Sequence, residues 1–140
     1  MGTRLTRIVS FCWVLLLSCN VFAGSSVVVE TAQQMLKDYA LVTCLKKIET
    51  KESNLTEDLG RSIGALHFMG QGKHQIQQNE DTFEVIHDPY QATATFLRMR
   101  SEVLKGYMKN GELSESLGCI RAYNSVEFSE FIATQDEYIH

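Results

Sequence analysis

Basic residues are in short supply. Lys and Arg total 13 against 17 Asp and Glu, a net charge of −4. Nucleic acid is held by displacing phosphate counterions with Lys and Arg, so a general nucleic-acid role is excluded. Proline occurs once, at Pro89, and there is no long polar tract, internal repeat or linker. With 44% apolar residues, general disorder is excluded as well. The chain has no Cys-x-x-Cys, and His67, His74, His87 and His140 stand at no usual zinc spacing. Gly70-Gln71-Gly72-Lys73 lacks the upstream glycine of a phosphate loop, and His74 stands where Ser or Thr would hold magnesium. No segment alternates in the manner of a strand between turn residues. What remains is one domain at most, within 140 residues, with no catalytic constellation, metal set or cofactor motif.

The N-terminus has the layout of an export signal. Arg4 and Arg7 form a basic start without acids, and Ile8 to Cys19 is an apolar run. Val21-Phe22-Ala23 then places compact residues before a cleavage point at Gly24. The run is shorter than the roughly 20 residues a bilayer span needs. Residues 1–23 are therefore read as a signal peptide and 24–140 as the working domain, exported and free of the membrane after cleavage. Leu16-Leu17-Ser18-Cys19 loosely resembles a lipobox, so a lipid-anchored form is the rival reading. Cleavage removes Arg4 and Arg7 but no acid, which moves the net charge from −4 to −6.

Cleavage also leaves only Cys44 and Cys119. An exported domain with two cysteines has one intramolecular pairing open to it, although a reactive thiol or a metal pair would use the same residues. An oxidising compartment favours the disulfide. Closing that loop of about 75 residues is worth about 4–5 kcal/mol in the chain-entropy model.

Helical spacing dominates the rest. Leu36, Ala40, Leu41, Cys44, Leu45 and Ile48 predict a first helix over about Val28–Ile48. Thr56 is a candidate cap for a second helix with Leu59, Ile63 and Leu66 on one face, ended by Gly70 and Gly72. Gly72–Asp81 reads as an exposed connection, and Phe83–His87 as a short helical turn before Pro89. Phe96, Arg100, Val103, Leu104, Tyr107 and Met108 predict a third helix stopped by Asn110-Gly111. Leu113, Leu117, Ile120 and Tyr123 predict a fourth, and Ser125 caps a fifth carrying Phe128, Phe131 and Ile132. The expected fold is all-α, a compact bundle of about five helices with one intramolecular disulfide tying the first helix to the fourth. A small exported domain of this kind usually works by binding.

Two segments together carry a resemblance. Lys37-Asp38-Tyr39-Ala40-Leu41 is followed by Cys44-Leu45, and Cys119-Ile120 by Tyr123-Asn124-Ser125 and Glu127. Between them lie Gly60, Ser62, Gly64 and Ala65, ending in Phe68. This order resembles the periplasmic type VI secretion amidase immunity proteins. The resemblance implies a small helical protein, not an enzyme, that binds and blocks a papain-like Cys/His amidase cutting peptidoglycan stems, and that acts as a homodimer. It implies no cofactor. It transfers no contact residue by motif, and alanines are expected where Gly60 and Gly64 stand. The mechanism it suggests is occlusion by a protruding loop. Gln71–Asp81 is the candidate, with Gln71, Lys73, His74, Gln75, Gln77, Gln78, Asn79, Glu80 and Asp81 as contact residues. From a different class, a small periplasmic ligand-binding protein or hydrolase with an unrecognised site remains the alternative.

Overall fold

The structure, a computed structural model, describes the backbone from Asn20 to His140 and side chains from residue 25 onward. Most of the expected export signal thus lies outside the described residues. The chain divides at Thr31 and Ala32, and the larger unit, Ala32–His140, holds the core and the candidate site. Five helices are described: α1 (Asn20–Ile48), α2 (Asn54–Leu66), α3 (Pro89–Val103), α4 (Glu115–Tyr123) and α5 (Val126–Ala133). A 3-10 turn, Asp136–Tyr138, follows α5. The expected cleavage point after Ala23 falls within α1. Among the described residues, no helix is long and apolar enough to cross a membrane.

The fold is mostly helical but not purely so, which corrects the all-α expectation. Strands β1 (Gln77–Gln78) and β2 (Val85–His87) pair antiparallel, as do β3 (Gly106–Tyr107) and β4 (Leu113–Ser114). The helical turn expected over Phe83–His87 fails because Phe83 takes φ 58°, a left-handed value that ends a right-handed helix. Tyr107 and Met108, expected in the third helix, lie beyond it: α3 stops at Val103 and Tyr107 lies in β3. Gly106 sits so close to Leu117 that an added Cβ would fall 2.3 Å from Leu117 Cδ2. Leu113, expected in the fourth helix, instead lies in β4.

Helix starts follow their caps. The Asp88 carboxylate accepts from the N–H groups of Tyr90 (2.9 Å) and Gln91 (3.1 Å), and Pro89 takes the first helical position, where no N–H is required. Ser53, not Thr56, caps α2, accepting from the Thr56 N–H at 3.2 Å. Ser125 caps α5 as expected, accepting from the Phe128 N–H at 3.2 Å.

The core is built on a four-residue stripe of α1: Ala32, Leu36, Ala40 and Cys44 are buried. Tyr90 and Leu97 of α3, Cys119 and Ala122 of α4, and Phe128 and Ile132 of α5 close over it. Small residues in the α1 stripe and at Ala122 let the helices approach closely. Cys44 and Cys119 are joined, linking α1 to α4. The same two helices meet through Tyr123, whose hydroxyl donates to Asp38 Oδ1 at 2.9 Å while Lys37 Nζ lies 5.0 Å from its ring centroid. Phe96 stacks on Phe131 at 4.3 Å between ring centroids, joining α3 to α5.

Candidate functional site

The segment from the end of α2 to the start of α3 is anchored at its base and exposed at its tip. Chain reversal after α2 uses three backbone bonds: Gly70 and Gly72 donate to the His67 carbonyl, and Gln71 donates to that of Ala65. An added Cβ at Gly72 would fall 2.3 Å from the Tyr90 hydroxyl and 2.4 Å from the Leu66 carbonyl oxygen. Only glycine allows that approach. Phe68, next to this turn, and His67 pack against Tyr90, with the His67 and Tyr90 ring centroids 4.6 Å apart.

Residues 73–75 are pinned from two sides. Gln75 N–H donates to the Tyr138 carbonyl at 2.8 Å, His140 N–H donates to the Lys73 carbonyl at 3.1 Å, and His74 bridges Ile139 antiparallel. Tyr90 fixes His74 from the other side, accepting from its N–H at 3.2 Å and donating to its carbonyl at 3.0 Å. The His74 side chain is 0% exposed, and neither ring nitrogen has a hydrogen-bond partner. Burial disfavours the charged imidazolium and pushes its pKa down to about 4, with Asp136 opposing the shift and His140 adding to it. Gly72 is buried too. The expectation of a uniformly exposed connection over Gly72–Asp81 is therefore corrected at both positions, because Tyr90 and the C-terminal strand bridge draw this stretch inward. Gln71, Lys73, Gln75, Gln77, Gln78, Asn79, Glu80 and Asp81 are exposed.

Beyond that anchor rises the β1–β2 hairpin. Its register runs Gln77 to His87 and Gln78 to Val85, which leaves Ile86 as the extra residue on β2. The tip is built by Asn79. Its side-chain oxygen accepts from the N–H groups of Asp81 and Thr82, both at 2.9 Å. Its backbone N–H donates to the Glu84 carbonyl, and its carbonyl accepts from Phe83 N–H, each at 2.9 Å. Those bonds hold Phe83 at its left-handed φ with the side chain 74% exposed. Val85 and Ile86 beside it are 56% and 70% exposed. A bulky residue held in an unfavourable backbone region, with its ring in water, gains nothing for the fold; such strain is characteristic of contact sites. At the hairpin base, His87 Nε2 lies 2.8 Å from Gln135 Oε1 and its ring stacks on Tyr138 at 4.4 Å.

Among the described residues, no group of three or more His, Cys, Asp or Glu is placed to hold a metal ion. The hairpin presents an ordered turn, three exposed apolar side chains and a rim of Gln, Asn, Glu and Asp. A family model described as type VI secretion system (T6SS), amidase immunity protein, matches residues 34–132. The chain belongs to that family. The matched stretch contains both cysteines of the disulfide and the whole β1–β2 hairpin. Neither a curated protein nor a solved structure matches the chain.

In this immunity-family chain, the expected loop ends at Asp81, and the exposed apolar residues Phe83, Val85 and Ile86 lie just beyond it. A signal was present. Phe83 and Val85 alternate with polar Glu84, and Asn79 with Thr82 is a side-chain turn pattern.

Proposed function

We propose that this chain protects the cell wall by binding a cognate peptidoglycan amidase effector and filling its active-site cleft with the β1–β2 hairpin. It acts as an inhibitor and not as an enzyme, in the periplasm, after removal of residues 1–23. The observation that carries this reading is Phe83, an exposed aromatic side chain held at an ordered tip in a member of an amidase immunity family. Aromatic anchors at the centre of an interface carry most of its energy, with a polar rim around them. Phe83, Val85 and Ile86 supply the anchor; Gln77, Gln78, Asn79, Glu80 and Asp81 supply the rim; Gln71, Lys73 and Gln75 flank it. His74 does not touch the partner but holds the loop from beneath. Because Asn79 orders the turn in advance, binding does not have to order it, which favours affinity. Two copies associate as a homodimer, each presenting one hairpin.

The test is a binding titration of the exported protein against the cognate amidase, paired with a muropeptide-cleavage assay. Nanomolar binding with loss of cleavage is expected. Replacement of Gln77–Asp81 by a Gly/Ser linker, or Phe83→Ala alone, should restore cleavage in a protein that still folds. Unchanged inhibition by both variants would remove the hairpin from the interface. The dimer is checked by sedimentation of the free protein.

A further inference from the structure

The β1–β2 hairpin meets the rest of the molecule at two roots, and one short stretch, residues 135–140, holds both. At the entry root, Gln75 N–H donates to the Tyr138 carbonyl at 2.8 Å, and His140 N–H donates to the Lys73 carbonyl beside it. At the exit root, His87 Nε2 lies 2.8 Å from Gln135 Oε1, and the His87 ring stacks on Tyr138. Among the described residues, the other hydrogen bonds of residues 77–87 close within the hairpin. Ile76 adds packing against the core. Internal bonds shape a hairpin but do not aim it. Strands of two and three residues are marginal alone in water, so the angle to the core is set at the roots.

The stretch that holds the roots is itself tied down. Gln135 N–H donates to the Ile132 carbonyl at 2.9 Å, which fastens it to the end of α5. Gln33 Nε2 of α1 donates to both carboxylate oxygens of Asp136 at 2.9 Å. Gln135 Nε2 donates to Thr134 Oγ1 at 2.8 Å, which turns Oε1 toward His87. The Gln135 side chain is 4% exposed, so water does not compete for that bond. The family match ends at residue 132, so this whole stretch lies beyond it.

We propose that residues 135–140 are a mount that aims the hairpin at the amidase, with Gln135 and Tyr138 as positioning residues acting through His87. The inference rests on the hairpin being the inhibitory element. Held at both roots, the hairpin presents Phe83 in one direction. Released at its exit root, it swings, and amidase binding must then order it at a cost in affinity.

NMR relaxation of the disulfide-bonded exported protein tests the mount without any partner, and titration against the cognate amidase tests its consequence. Backbone order parameters over residues 77–86 should be about 0.85 in the wild-type protein and fall below about 0.6 in His87→Ala and Tyr138→Ala. The two variants break the same contact from opposite sides, so either one that folds is sufficient. Order in α1, α3 and α5 should hold. Tyr138→Phe keeps the stacked ring and should match wild type in both measurements. The amidase Kd should rise about tenfold in the two alanine variants. Unchanged hairpin order in a folded alanine variant overturns the mount, whatever the amidase does. Loss of order with an unchanged Kd overturns the aiming role. It does so alone if Phe83→Ala still weakens binding, and together with the hairpin reading if Phe83→Ala is silent as well.

Discussion

The Tyr90 hydroxyl makes two hydrogen bonds to the backbone of one residue, accepting from the N–H of His74 at 3.2 Å and donating to its carbonyl at 3.0 Å. A residue in the first turn of α3 thereby completes the backbone pairing of a loop 16 positions earlier. Tyr90 is buried, so water cannot replace those bonds when the hydroxyl is removed.

Tyr90→Phe should therefore cost about 1–3 kcal/mol, the penalty of buried polar groups left without partners. Urea unfolding measures it through a lower midpoint at unchanged slope. Amide exchange at Lys73–Gln75 should also accelerate; protection equal to wild type would show that the C-terminal bridge alone holds the loop.

His74 makes stability depend on pH with a definite sign. Its pKa is pushed down to about 4 in the folded protein, against about 6.5 in an unfolded chain. Between those values the unfolded chain binds the extra proton, so stability falls as the solution is acidified from about pH 6.5 to pH 4. The total loss is at most about 3 kcal/mol from this group. His74→Leu should flatten the acid slope of unfolding free energy; an unchanged slope would place the effect on other groups.

Joining α1 to α4 through Cys44 and Cys119 constrains the unfolded chain more than the folded one. Replacing both cysteines by serine should lower stability by about 2–5 kcal/mol, the range for loss of a native disulfide in a small exported domain. Thermal melting of the variant against oxidised and reduced wild type measures it. Reduction alone should reproduce most of the shift.

Phe83 separates stability from binding. Phe83→Gly removes a side chain from a left-handed position and should raise folding stability by up to about 1 kcal/mol. The same change should weaken amidase binding by about 2 kcal/mol or more, as expected for loss of an aromatic anchor. Opposite signs in the two measurements are the outcome that supports the anchor role; a change of equal sign in both removes it.

Much of the helical frame was legible because its signals are local. The spacing of Leu36, Ala40 and Cys44 marked the buried stripe, Ser125 marked the last cap, and two cysteines left one pairing. The segments Lys37–Leu45 and Cys119–Glu127, on which the family resemblance rested, meet physically through Asp38 with Tyr123 and Cys44 with Cys119. The hairpins were hard to read, since strands of two or three residues leave at most one alternation, as at Phe83–Val85, and that is too little to mark a strand. Pro89, expected only to follow a short helical turn, begins α3 instead, a distinction set by the Asp88 cap. The burial of His74 had no local signal, as it depends on Tyr90 and Tyr138 arriving from distant positions.

With Cys44 and Cys119 joined across 75 positions, the chain is topologically a closed ring with two tails. The ring carries α2, α3 and both hairpins, so the β1–β2 hairpin has no free end. A single protease cut at the exposed tip near Phe83 opens the ring without releasing a fragment. The clipped molecule should run as one species on a denaturing gel until a reductant is added, and as two afterwards.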